Sequence, residues 1–441
     1  MPERVRLGPG YRKLYVATAL SNIGDGMAGI AYPWLATAIT RNPLLIAVVA
    51  AVQRLPWLFF TLPAGVITDR VDRKRAMVSM DALRFVLTLA VGFSVLVQQG
   101  SLPAPDEVQS VVGTQVGLYL VLLSATLLLG CAEVLRDNCN QTFLPSIVAP
   151  EHLERANGRI WSIESAANTF IGPPIGSLLL VAAFSAPFFV DAGSFFAAAA
   201  LVAAIPGTFR ASGASTGAPS GKVSWRAEMK EGFTWLWRNR LLRSMAILLG
   251  VMNLSSNFSG ALFVLFAQDV LHVTPWTFTL MGFGFALGSI AGGYIGPWLT
   301  KRWGSGTCLW VSVLTMAVTQ SITGFLSDWR MVAVVAGLGS VLGTLWNIVT
   351  VSFRQTVIPD ALLGRVNSVY RFFAWGSIPI GSALGGLVVL IARRFVADDT
   401  ALRIVWWVDG ALTFVVFLFV RALLTTERLE AERSAAIGAP V

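Results

Sequence analysis

Long apolar stretches separated by short polar ones dominate the chain. In order they predict twelve membrane-length helices, over residues 14–37, 44–68, 77–99, 115–137, 158–183, 186–206, 242–268, 276–299, 307–327, 331–353, 366–392 and 403–424. Each is close to, or longer than, the roughly 20 apolar residues that cross a hydrocarbon core. The fold class that follows is an all-α membrane protein. The pattern breaks once, midway. Residues 210–223 form a Gly/Ser/Ala run, expected to be a flexible linker. From Ser224 to Asn239, Trp225, Met229, Phe233 and Leu236 share one helical face, with Arg226, Lys230 and Glu231 elsewhere. Such a helix lies either on the inner leaflet or packed beneath the bundle, and periodicity does not choose between them.

The two halves repeat each other. Gln141-Thr-Phe-Leu-Pro145 precedes Arg155-Ala-Asn157, and Gln355-Thr-Val-Ile-Pro359 precedes Arg365-Val-Asn367. Val190-Asp191 and Val408-Asp409 open the sixth and twelfth spans in the same way. The expected organisation is a six-helix half over 1–208, a cytoplasmic linker with an amphipathic helix over 209–240, a second six-helix half over 241–425, and a cytoplasmic tail over 426–441.

Composition removes the soluble alternatives. Of 441 residues, 55% are hydrophobic and only 13% charged, with a mean hydropathy of +0.67. The net charge of +9 would otherwise suggest nucleic acid. Its cations sit between apolar runs, however, and so read as topology signals. Arg41, Arg330, Arg393, Arg394 and Arg403 fall in outside loops, and Arg54, Arg84, Arg136 and Arg371 within spans, which leaves 24 of the 33 on the inside. Both termini are therefore expected in the cytoplasm of a multi-pass protein of the cell (plasma or inner) membrane, whose macromolecular surroundings are lipid rather than nucleic acid. The first apolar run is long enough to span and lacks a cleavage pattern, so it reads as a true helix rather than a signal peptide. Cys131, Cys139 and Cys308 have no metal or disulfide spacing, and His152 and His272 are isolated. No metal site is expected, and proton chemistry inside the membrane falls to carboxylates.

A charged hairpin, Gly65-Val-Ile-Thr-Asp69-Arg70-Val-Asp-Arg73-Lys-Arg75, separates the second and third spans. It resembles the G-x-x-x-D-R-x-x-R-[KR]-[KR] loop of the major facilitator superfamily, and the second half carries a worn copy at Gly296–Arg302. The resemblance implies two pseudo-symmetric halves with a substrate cavity between them near the bilayer midplane. In the fifth span, Gly172-Pro173-Pro174-Ile175-Gly176-Ser177 is similar to the G-P-x-x-G-G motif of antiporters in that superfamily, with Ser177 for the last Gly. Prolines kink a span and small residues let helices approach. Gly284, Gly288, Gly292 and Gly296 form a small-residue ridge on the eighth span, mainly for packing and secondarily for ligand contact.

Ionisable residues within spans are costly and point to function. Asp25 and Arg54 lie at similar depths in the first two spans, where they read either as a proton or cationic-substrate site or as a static ion pair. Glu164 shares a face with Asn168 and Gly172, as a second proton carrier or a snorkelling carboxylate. Asp81, Arg84, Glu133, Arg136 and Asp137 crowd the cytoplasmic ends of the third and fourth spans. With Gly65, Asp69, Arg70 and Arg73 they are expected to latch an inner gate, as the superfamily resemblance implies, or to anchor the loops.

No Walker sequence is present, and Gly213-Ala-Ser215-Thr-Gly217 sits in the linker with no strand before it, so neither ATP-driven transport nor enzyme chemistry has support. Ser21-x-x-Gly24-Asp25-Gly26 with Pro33-Trp34, Leu144-Pro145 leading to Arg155-Ala-Asn157, and Phe233 through Arg243 look like the macrolide-efflux and enterobactin-exporter branch. The first is also similar to mycobacterial tetracycline and aminoglycoside exporters. The branch implies proton-driven export of drug-like molecules with no cofactor beyond the proton gradient, from a protein expected to be monomeric. A dedicated siderophore or metabolite exporter and a transport-inactive sensor or scaffold stay open.

Overall fold

The computed structural model describes residues 7–209 and 225–438. The linker expected over 210–223 lies outside them, as do residues 1–6 and 439–441. The side chains of Asp69, Trp225 and Arg226 also lie outside the described part.

The described chain is helical. It runs through α1 (Gly8–Ile39), α2 (Pro43–Phe59), α3 (Thr61–Arg70), α4 (Arg73–Val97), α5 (Val116–Phe143), α6 (Leu153–Ala166), α7 (Gly172–Ala182) and α8 (Ala186–Ala203). It continues through α9 (Trp225–Arg238), α10 (Arg240–Gly260), α11 (Phe263–Asp269), α12 (Pro275–Trp303), α13 (Ser305–Thr323), α14 (Trp329–Val357), α15 (Asp360–Ala392), α16 (Asp398–Leu423) and α17 (Thr426–Gly438).

Among the described residues, ten helical stretches are long and apolar enough to cross a membrane, and they fall on ten of the twelve expected spans. The other two are α1, diluted by polar residues around Ser21–Gly26, and the second span, which divides. Its apolar helix α2 has only 17 residues. Pro63 has no N–H to offer the Phe59 carbonyl and crowds it, so the helix is interrupted at Phe60.

The chain forms two compact units, Met1–Asn42 with Val52–Ala218 and Val273–Thr279, and Pro43–Ala51 with Pro219–His272 and Leu280–Val441. Each has its own apolar core. The first gathers Leu14, Met77, Val134, Phe143 and Val202; the second gathers Leu242, Met245, Leu309, Phe353 and Val420.

In the second unit, α9 packs against α15, while Phe233 and Trp237 on its apolar face stay exposed. Leu236 is buried, Phe233 and Trp237 stack on each other and on Phe373 of α15, and a Cβ at Gly232 would meet the Arg365 backbone at 2.8 Å. The expected tail is largely the helix α17. It buries Leu429, its Glu432 accepts from Asn239 Nδ2 at 2.7 Å, and Thr426 Oγ1 accepts the Gly306 N–H at 3.0 Å.

Candidate functional site

The polar island Ser21–Gly26 makes one wall of the site. Asp25 is ion-paired with Arg84 of α4, which also donates to Ser21 Oγ at 3.2 Å and lies over the Phe195 ring, 3.9 Å from its centroid. Arg54, the partner expected from depth, is exposed; Arg84 takes its place. Asp81, one turn before Arg84 on α4, lies 3.9 Å from Arg84 and 3.4 Å from Arg136 of α5. Arg136 in turn is 3.9 Å from Asp137. Asp25, Arg84, Asp81, Arg136 and Asp137 are thus one alternating chain of charge. Residues expected in a central site and residues expected in an inner gate meet in one network.

The fifth span faces this wall. Pro173 and Pro174 lack the N–H groups that would bond the carbonyls of Thr169 and Phe170, so the helix widens ahead of them. Residues Ala167–Ile171 take π-helical turns, and the Gly172 N–H reaches back to the Ala167 carbonyl. Gly172 and Gly176 let α7 touch the α1 backbone: a Cβ at Gly172 would meet the Ile23 carbonyl at 2.5 Å, and one at Gly176 would meet Met27 Cα at 2.9 Å. The widened turn carries Asn168, whose amide donates to Asn22 Oδ1 of α1. Glu164 lies one turn earlier, half-buried.

Between these walls is a cavity of about 1020 Å³ lined by groups of the first unit. Asp25, Glu133, Asp137 and Glu164 give it four carboxyls, against the two guanidinium groups of Arg84 and Arg136. Trp161 adds an aromatic face. A wall with more acid than base, an aromatic surface and amide groups suits a cation or a cationic amphiphile. Arg54 is not part of this lining; Glu164 and Asn168 are.

The charged loop acts as a clamp. Lys74 Nζ donates to the Ile205 carbonyl just beyond α8 at 2.9 Å, and Arg73 to the Thr142 carbonyl near the end of α5, also at 2.9 Å. Cations at helix C-termini satisfy unpaired carbonyls and oppose the helix dipole. Asp72 caps α4, accepting the Arg75 N–H at 2.9 Å and the Phe209 N–H at 2.7 Å. Burial raises its carboxyl pKa, but those two N–H donors and the nearby Arg75 and Lys74 outweigh it and hold Asp72 below the usual carboxylate value. Gly65 has open space around it and Arg70 is exposed.

The α12 glycines lie along α14: Gly284 against Ala333, Gly288 against Gly337 and Ser340, Gly292 against Val341 and Thr344, and Gly296 against Ile348.

The repeat landmarks Asp191 and Asp409 are also buried carboxylates. Asp191 is buried beside Gly24 and Ser194. Asp409 accepts from Ser255 Oγ at 2.6 Å and Ser259 Oγ at 2.5 Å. Their signal was present, since an acid inside an apolar run is costly wherever it occurs.

Comparison with known proteins agrees with this architecture. A family model described as a transmembrane secretion effector matches residues 8–397. The multidrug efflux pump Tap of Mycobacterium tuberculosis is 28% identical over 389 residues, covering 86% of this chain and 86% of that protein. The enterobactin exporter EntS of Escherichia coli is 23% identical over 435 residues, covering 95% of this chain and 94% of the exporter. A mutant of the nucleoside transporter NupG superposes with a TM-score of 0.72 at 12% identity, covering 94% of this chain and 100% of that one. At that identity the likeness concerns the fold alone.

Proposed function

The chain belongs to the transmembrane secretion effector family of major facilitator transporters, and from that premise we propose that it exports cationic or amphipathic drug-like molecules by proton-coupled antiport. It is a multi-pass membrane transporter with efflux relatives; the coupling ion and the substrate class are our reading. The observation that carries it is the Asp25–Arg84 pair on an acid-rich cavity wall. A proton on Asp25 releases Arg84, and a cationic substrate competes for the same carboxylate. Mutually exclusive occupancy of one group by proton and substrate is the minimum an antiporter requires.

In this reading α1 and the α2–α3 pair complete twelve spans. With 32 residues, α1 is about 48 Å long. Both termini are cytoplasmic by the Lys/Arg bias, and the clamp at Asp72–Arg75, with Asp69 beside it, closes the inner side. No cofactor beyond the proton gradient is invoked. The likeness to an enterobactin exporter supports a second reading, export of a dedicated siderophore or metabolite, for which the acidic wall is less suited. A compound screen in inverted vesicles, with and without an imposed pH gradient, separates them. Gradient-driven accumulation of several cationic compounds supports multidrug antiport; accumulation of one metalloligand alone supports the second reading. Flux indifferent to the gradient sinks the proposed coupling.

A further inference from the structure

Next to Asp25, and outside the cavity lining, lies a second carboxyl. Asp191 of α8 is 3% exposed, and a Cβ at Gly24 would collide with its Oδ1 and with Ser194 Oγ. Only the bare backbone of Gly24 allows this approach, one residue from Asp25. Arg84 is ion-paired with Asp25, and Asp191 lies near enough to act on its guanidinium through space.

The polar path continues past Arg84. Thr88, one turn further along α4, is fully buried. Tyr32, two turns beyond Asp25 on α1, packs its ring against Phe188 of α8 with centroids 5.2 Å apart and has Asp191 and Thr88 as neighbours. Tyr32 OH and Thr88 Oγ1 are both buried and lie toward each other, with no other hydrogen-bond partner among the described residues. Buried hydroxyls with spare hydrogen-bonding capacity cost free energy, and a pair of them beside a buried carboxyl suits the passage of protons through hydroxyls and single waters. The run covers seven residues of α1, about 10 Å, from Asp25 toward the Ile39 end.

The repeat supplies a contrast. Asp409, the counterpart of Asp191, is held by hydroxyls of Ser255, Ser259 and Thr413 from two helices. Among the described residues, the Asp191 carboxyl accepts only a weak 3.4 Å contact, from Ser194 in its own helix turn. The first carboxyl is tied by hydroxyls from two helices; the second is not. The charged groups that face Asp191 are Asp25 from α1 and Arg84 from α4, and α7 carries none.

We infer that Asp191 is a second proton carrier, connecting Asp25 to the far side of the membrane along a Tyr32–Thr88 seam between α1, α4 and α8. The inference rests on the antiport reading above. In the transfer, an O–H bond on the Asp191 carboxyl breaks as one forms on the Asp25 carboxylate, directly or through one intervening hydroxyl or water, so the charge of the pair is unchanged.

The test uses the full chain in liposomes, with ethidium as the probe. Wild type is measured for pH-gradient-driven uptake and for ethidium counterflow, which needs no net proton movement. Asp191→Asn is expected to lower gradient-driven uptake by about tenfold or more, the scale of a lost proton-transfer group, with counterflow retained. Tyr32→Phe keeps the ring and removes the hydroxyl, and is expected to slow gradient-driven uptake and alter its pH profile. A wild type insensitive to the gradient defeats the antiport reading, and this inference with it. A gradient-dependent wild type with an equally gradient-dependent Asp191→Asn overturns the assignment of Asp191 alone. If Asp191→Asn fails to reach the membrane, Tyr32→Phe decides, and unchanged uptake with an unchanged pH profile overturns the route.

Discussion

Asp25 sits where neutralising it is tolerable. Its side chain keeps 30% exposure, and Arg84 retains Asp81 nearby. The cost of losing the charge therefore falls below the roughly 3–5 kcal/mol of breaking a fully buried pair. Asp25→Asn is expected to abolish gradient-driven export while membrane expression persists and some downhill flux, with weakened binding of cations, survives in the remaining cavity. If it destroys expression instead, and Asp25→Asn with Arg84→Gln restores both expression and active transport, the pair is structural and Glu164 becomes the carrier. Asp72 is a stability residue. Its carboxyl is held below the ordinary value, so its contribution is present above that value and is lost as pH falls through the folded one. Asp72→Ala is expected to cost about 1 kcal/mol at neutral pH, the usual worth of an N-cap. The gap to wild type should close as the solution is acidified below about pH 4. Thermal unfolding in detergent at both ends of that range reads it, and equal stability at neutral pH would show the cap to be idle. Asp25 was visible in the sequence as a charge in an apolar run. Its partner was not, because counting along two helices gives depth but not azimuth, and Arg54 and Arg84 differ in azimuth.

At the scale of elements, close approach depends on glycine. Gly284, Gly288 and Gly292 bring α12 against backbone carbonyls of α14, so a larger side chain has no rotamer that avoids the neighbour. Gly288→Leu remains compatible with lipid insertion but adds overpacking of about 1–3 kcal/mol. It is expected to reach the membrane and to transport poorly. Normal vesicle transport by this variant would mean that α12 and α14 have slack that the structure does not suggest. The fifth span makes the same point. Its Gly-Pro-Pro run announced a bend, and the structure supplies the form of that bend, a π-helical stretch that puts Asn168 against Asn22. The amphipathic segment after the linker had two addresses by periodicity. Phe373, Arg365 and the buried Leu236 hold it against α15, with Phe233 and Trp237 exposed on the same face.

For the whole molecule, the expected tail turns out to be part of the second unit. Helix α17 buries Leu429 and bonds to α10 and α13 through Glu432–Asn239, Thr426–Gly306 and Arg433–Ser305, the last at 3.2 Å. Truncation before Thr426 should lower the melting temperature in detergent, since it exposes the core beneath Leu429 and frees the capped start of α13. An unchanged melting temperature would mean that α17 is merely resting there. The polar first half of this helix hid its role: Leu429 stands among charges, and its only other large apolar residue, Ile437, is eight positions on.

The sequence by itself determined the membrane, the helices and the repeat, because lipid allows few ways to satisfy a backbone and each leaves a long apolar signature. It also marked Asp25, Glu164 and the charged loop, since charges in or beside such runs are expensive. Tertiary structure decided which charges meet. Azimuth, crossing and close approach at glycine joined Asp25 to Arg84, Asp81 and Arg136, and set Asp191 beside Gly24. Those are distances in space between residues far apart in the chain, and no one-dimensional pattern of apolar and polar positions encodes them.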